Sequence, residues 1–123
     1  MPGEPTLNPE DHVGRFFDDV ELETCRDPDV SRPRVRPVTR FSPGVRVEFP
    51  RQLRERFPIG TRYKATVKVC QKTMGGRPHG SAYLRAYDIA LIPESLPDAG
   101  LVAMVRSGSV SGLSYYYVWR TRE

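Results

Sequence analysis

From Arg62 to Val69 the side chains alternate without a break, with Tyr63, Ala65, Val67 and Val69 on one side and Arg62, Lys64, Thr66 and Lys68 on the other. A period of two is the signature of a β-strand with one face packed and one in solvent. This run therefore forbids a helix in the middle of the chain and requires neighbouring strands to cover its apolar side. Ser81 to Ile92 supplies one such strand. Leu84 and Ala86 fall on one face and Tyr83, Arg85 and Tyr87 on the other, and Pro93 and Pro97 end the run. Between the two strands, Gln71 to Gly80 holds Gly75, Gly76, Pro78 and Gly80, the residues of an exposed hairpin loop.

The same period recurs upstream. Val45, Val47 and Phe49 alternate with Arg46 and Glu48 after a Ser42-Pro43-Gly44 turn, which predicts a hairpin with an earlier strand over Val35 to Phe41. Pro37 suits an edge position there. Pro50 to Phe57 predicts one or two helical turns with Leu53 and Phe57 on one face. At the C-terminal end, Leu101 to Val105 and Val110 to Trp119 predict a last hairpin around Ser107-Gly108, with Leu113, Tyr115, Tyr117 and Trp119 sharing a face.

The N-terminal segment reads differently. Asn8, Pro9, Glu10 and Asp11 combine a capping side chain, proline at the first helical position and acids in the first turn. Val13, Phe16, Phe17 and Val20 then recur at i, i+3, i+4 and i+7, which predicts an amphipathic helix whose other face carries Asp11, Asp18 and Asp19. Cys25 to Pro33 reads as a linker. The expected class is mainly β, α+β at the margin. The expected architecture is a small five- or six-stranded antiparallel barrel or curved sheet, OB-like or SH3-like, with an N-terminal amphipathic helix and a short inserted helix. Residues 1–33 form the expected acidic helix and linker, and residues 34–123 the expected basic β domain.

Charge follows the same division. Residues 1–30 hold nine acids against Arg15 and Arg26, whereas residues 31–77 hold thirteen lysines and arginines against Glu48 and Glu55. A field of this kind selects partners rather than folds. No apolar run approaches the roughly 20 residues that span a bilayer, and no basic segment precedes an apolar one at the N-terminus. The expectation is a cytoplasmic protein with no membrane partner. Cys25 and Cys70 are the only cysteines, too few for a disulfide framework.

The basic middle points to a polyanion. Cations two residues apart on a strand, roughly 6.5–7 Å, can meet successive phosphates and release their counterions. Arg62, Lys64 and Lys68 form such a row, with Lys72 and Arg77 continuing it into the hairpin loop. Tyr83, Arg85 and Tyr87 add flat side chains of the type that stack unpaired bases. These eight residues are the expected nucleic-acid contacts, and DNA or RNA is the expected partner. An acidic protein surface is the alternative partner, and a small anionic metabolite the third. The Gly75 to Gly80 loop lacks the lysine and hydroxyl residue that close a P-loop. His12, Cys25, Cys70 and His79 lack a chelating spacing. No cofactor, metal site or catalytic residue is therefore expected.

Overall fold

The structure is a computed structural model and describes residues 6–107 and 118–119. In chain order the elements are β1 (Phe16–Cys25), β2 (Arg34–Pro37), β3 (Val47–Glu48), α1 (Arg51–Arg56), β4 (Arg62–Cys70), β5 (Thr73–Met74), β6 (Arg77–Pro78), β7 (Tyr83–Leu91), α2 (Ala99–Ser107) and β8 (Val118–Trp119). Five strands lie in the order β2-β1-β4-β7-β3, and the sheet curls until β2 and β3 face each other across a narrow opening. β8 pairs with the far half of β7. The interior of this nearly closed barrel is filled from every strand, by Leu22, Val35, Val47, Tyr63, Val67, Leu84 and Ile89 among others.

The alternation of β4 is realised as expected: Tyr63, Ala65, Val67 and Val69 are buried, and β7 returns antiparallel with Leu84 opposite Val69 and Leu91 opposite Tyr63. Gly75 and Gly76, at φ of +60° and +78°, make the tight turn between β5 and β6. A type I′ hairpin turn needs positive φ at both central residues, which only glycine adopts freely. α1 closes one end of the barrel with Leu53 and Phe57. The Tyr63 hydroxyl donates to the Leu53 carbonyl at 3.1 Å.

Where the sequence predicts an N-terminal helix, the structure has a strand. Helical geometry lasts for one 3-10 turn, Pro9–Asp11, capped by Asn8, whose Oδ1 accepts from the Glu10 N–H. Gly14 then takes φ of +89°, which ends the turn and releases the chain into β1. Val13 and Phe16 are 49% and 45% exposed, so the i, i+3, i+4 stripe is not a packed face. The decisive pattern starts at the stripe's last residue: Val20, Leu22 and Thr24 are buried, with Glu21 and Glu23 between them. Two of these three are β-branched and favour the extended chain.

β1 therefore lies inside the sheet, between β2 and β4, and the charge segregation of the sequence becomes cross-strand pairing. Glu23 accepts from Arg36 on β2 at 2.8 Å and pairs with Arg62 on β4 at 3.2 Å, while Glu21 lies 3.9 Å from Arg62. Burial pushes the Glu23 carboxyl up, but the hydrogen bonds from Arg36 and Arg62 outweigh it and hold the group below its ordinary 4.5. A carboxylate lowered in the folded state adds stability above its unfolded pKa and loses it as pH falls through the folded value. Stability should accordingly drop as pH is lowered through and below the ordinary carboxylate range. Glu23→Gln should flatten part of that drop in urea titrations at successive pH values. An equally steep profile in the variant would assign the acid sensitivity to other carboxylates.

Two bulges bend the sheet at one level. Asp19 on β1 and Asp88 on β7, at φ of +57° and +51°, interrupt the registers on either side of Ala65 and Thr66. The Thr66 hydroxyl donates to Asp18 at 2.7 Å across the first bulge. An extra residue in each flanking strand increases twist and coil, which is what a five-stranded sheet needs to bring its edges together.

Two further expectations change. The hairpin between Val35–Phe41 and Val45–Phe49 does not form: β2 pairs with β1, and β3 runs parallel to β7. The sheet is thus not wholly antiparallel. Phe41 is buried and packs edge-on against Phe17 at 5.4 Å, so the Ser42-Pro43-Gly44 turn carries the chain from one sheet edge to the other. Leu101 to Val105 is helical, not a strand. Asp98 caps α2 by accepting from the Gly100 N–H at 2.7 Å, and Leu101 and Val102 pack on the core. The aromatic run expected in the last strand lies outside the described residues, except for Val118–Trp119, which pairs antiparallel with β7 as β8.

Cys25 and Cys70 are free. The antiparallel register of β1 and β4 puts Cys25 beyond the Glu23–Arg62 pair and Cys70 beyond the Phe16–Lys68 pair, at opposite ends of the strands. Among the described residues no helix is long and apolar enough to cross a membrane.

Candidate nucleic-acid interface

The outer face of β4 does not act as one cationic row. At one end Arg62 is held by Glu21 and Glu23, and Lys64 stands directly across from Glu21 in the β1 register. At the other end Lys68 is flanked by Phe16 on β1 and Arg85 on β7. Its Nζ lies 5.7 Å from the centre of the Phe16 ring, within cation–π range. Pairing with the acidic strand thus removes the Arg62 and Lys64 end from the candidate surface and leaves the Lys68 end cationic.

That end continues across four strands. Phe16, Lys68, Arg85 and Glu48 are successive cross-strand neighbours on β1, β4, β7 and β3. The Arg85 Nε donates to Glu48 at 2.9 Å. A hydrogen bond with Tyr87 and the bond with Glu48 raise the guanidinium pKa further above its ordinary value, so Arg85 stays charged. Tyr87 lies 6.1 Å from Phe16, ring to ring. Tyr83, two residues before Arg85, is buried beneath Arg46, whose guanidinium sits 4.7 Å from the ring centre. Arg46 also pairs with Glu48 at 3.4 Å.

This face opens into a groove of about 830 Å³ between the free edges of β2 and β3. Arg32, Arg34, Arg46, Arg54 and Arg85 line it, against Glu48 as its sole carboxylate among the described residues. Val35, Val47, Phe49 and Ala86 give it an apolar wall. Arg34 is paired with Asp27 at 2.6 Å. Arg32 has no ion-pair partner among the described residues, and the Arg54 Nε is buried without an acceptor. An anion in the groove would meet guanidiniums that the protein itself does not fully neutralise, beside a surface that can take flat apolar groups.

A second cleft, of about 530 Å³, adjoins the first through Arg46, which lines both, and is walled by Tyr83 and by Lys72 and His79 at the base of the β5–β6 finger. The Gln71 side-chain amide ties that base together by donating to the carbonyls of Lys72, His79 and Gly80. Of the eight residues expected from sequence, Lys68, Tyr83, Arg85 and Tyr87 come together. Lys72 lies on the adjoining cleft, and Arg77 is exposed on the finger. Among the described residues no group of three histidine, cysteine or acidic side chains could hold a metal ion.

Sequence reasoning did not find Arg32, Arg34, Arg46, Arg54 or Phe16. A signal for three of them was present: Arg32, Arg34 and Arg36 alternate before Val38, and Arg46 occupies the outward position of the Val45-Arg46-Val47 run. Their convergence depends on the two sheet edges meeting, which period alone does not encode. No family model, no curated protein and no solved structure matches this chain.

Proposed function

We propose that this protein binds single-stranded nucleic acid in the groove between β2 and β3, with the Arg46, Tyr83, Arg85 and Tyr87 surface extending the path. The observation that carries this reading is the five-arginine lining against one carboxylate, next to apolar and aromatic side chains. Phosphates supply the counter-charge, and unpaired bases can lie on the apolar wall, which the bases of a duplex cannot. The connectivity supports the same reading. Five strands in the order β2-β1-β4-β7-β3, a helix between β3 and β4, and a parallel β3–β7 pair resemble an OB-type barrel. In that architecture the second and third strands form the ligand face.

The test is equilibrium binding of labelled oligonucleotides of about 12 nucleotides, single-stranded and duplex, across a salt series. Neutralising about three phosphates gives a log–log slope near −2, so single-strand affinity should fall roughly 20-fold between 50 and 200 mM salt. Binding to neither form at about 50 mM salt would reject the proposal.

A second reading rests on the edges themselves. β2 and β3 each have one side without a strand partner among the described residues, so a partner protein strand could add there. Purified protein whose ultraviolet absorbance shows bound nucleic acid, lost in high salt, favours the first reading. Nucleic-acid-free protein that captures a single partner favours the second.

A further inference from the structure

Within the groove, Glu48 stands where a ligand phosphate would be expected. It bridges two arginines, with Oε1 accepting from the Arg85 Nε at 2.9 Å and Oε2 lying 3.4 Å from an Arg46 terminal nitrogen. The two guanidiniums belong to the surface that the proposed function uses, since Arg46 covers Tyr83, and Arg85 lines the groove together with Tyr87, two residues along β7. Among the described residues no other carboxylate lines the groove. A carboxylate and a phosphate present similar oxygens to the guanidinium fork, and both form charge-assisted bonds with it. All three side chains are more than a third exposed, Glu48 at 38%, Arg46 at 48% and Arg85 at 46%. Ion pairs this open are individually weak and exchangeable.

We infer that Glu48 is an internal competitor: it occupies Arg46 and Arg85 in the free protein and yields them to phosphates of the bound strand. The inference rests on the proposed single-strand site. Its consequence is selectivity between anions. An isolated phosphate group gains too little to displace a carboxylate that is held at high effective concentration by its own strand. A polynucleotide brings several phosphates at once, and those bound at Arg32 and Arg54 carry the next one to Arg46 and Arg85. Glu48 would thus discriminate against free nucleotides and inorganic phosphate while a single strand still binds.

Glu48→Gln keeps the side-chain volume and removes the negative charge. The variant should bind an oligothymidylate of about 12 nucleotides some 3- to 10-fold more tightly than the wild type. Its salt slope should be steeper by about 0.7, the increment for one additional counterion-releasing contact on a single strand. Inhibition by free thymidine monophosphate should rise in parallel. Combining Glu48→Gln with Arg46→Gln should remove part of the gain, because the two sites share one contact. Equal or weaker binding by Glu48→Gln, at an unchanged melting temperature, would overturn the inference while leaving the proposed function intact. If the melting temperature falls, Glu48→Ala and the salt slope decide by the same criterion. Should neither wild type nor Glu48→Gln bind any oligonucleotide, the single-strand reading and this inference fail together.

Discussion

Tyr63→Ala should lower the free energy of unfolding by about 3–5 kcal/mol, the range for removing a large aromatic side chain from a packed interior. Tyr63 is fully buried on β4, the middle strand of the five, and its ring lies 5.0 Å from that of Phe49. Its hydroxyl is tied to the Leu53 carbonyl of α1, so one side chain joins the central strand, the β3 end and the helix that closes the barrel. Burial raises its pKa well above the ordinary phenol value, and the group stays neutral through the range where proteins are folded. Tyr63→Phe isolates the hydrogen bond. It should cost about 1–2 kcal/mol, because a buried carbonyl loses its partner. Urea denaturation of the three proteins checks both values. A loss below about 1 kcal/mol for the alanine variant would mean that α1 and β4 do not share a core.

The second large effect is on binding. Arg46→Glu combined with Arg85→Glu should weaken single-strand affinity by about 100-fold near 100 mM salt, which corresponds to about 3 kcal/mol. On the proposed site each replacement would remove a phosphate contact and add repulsion at the groove mouth. Neither residue is buried, so the barrel should tolerate both changes, and the circular dichroism spectrum should match that of the wild type. Lys64→Glu is the informative comparison. Lys64 belongs to the row that sequence alone favours as the contact face, yet it stands across from Glu21 on the acidic strand. Its reversal should change affinity no more than about threefold, the screened effect of one distant charge. Comparable losses from Lys64→Glu and from the arginine pair would return the contact face to β4.

Much of the sheet was readable from sequence. Tyr63 to Val69 and Leu84 to Ala86 show which faces are buried, because side-chain period is a local property of an extended chain. The Gly75-Gly76 turn and the Leu53 and Phe57 face of α1 are equally local. What failed was local as well, but ambiguous. Val13, Phe16, Phe17 and Val20 match helical spacing while Val20, Leu22 and Thr24 match strand spacing, and both patterns share Val20. Gly14 decides between them, because its left-handed backbone breaks the helix before the stripe is complete.

The site was legible only in part, for a different reason. Sequence charge counts treat Arg62 and Lys68 alike. Strand order places Glu21 and Glu23 beside the first, and Phe16 and Arg85 beside the second. The same step turns an apparently separate acidic segment into the internal counter-charge of the barrel. The arginines of the groove come from the loop before β2, from β2 itself, the run into β3, α1 and β7. Only closure of the sheet brings them together.

The groove between β2 and β3 is the proposed binding surface. An amide chemical-shift titration of the whole protein with a single-stranded oligonucleotide of about 12 nucleotides tests it most directly. The largest shifts should map to residues 32–35, 46–49 and 85–87, with small changes at Glu21, Arg62 and Lys64. Shifts concentrated on the β1–β4 face, or no shifts at saturating oligonucleotide and low salt, would contradict it.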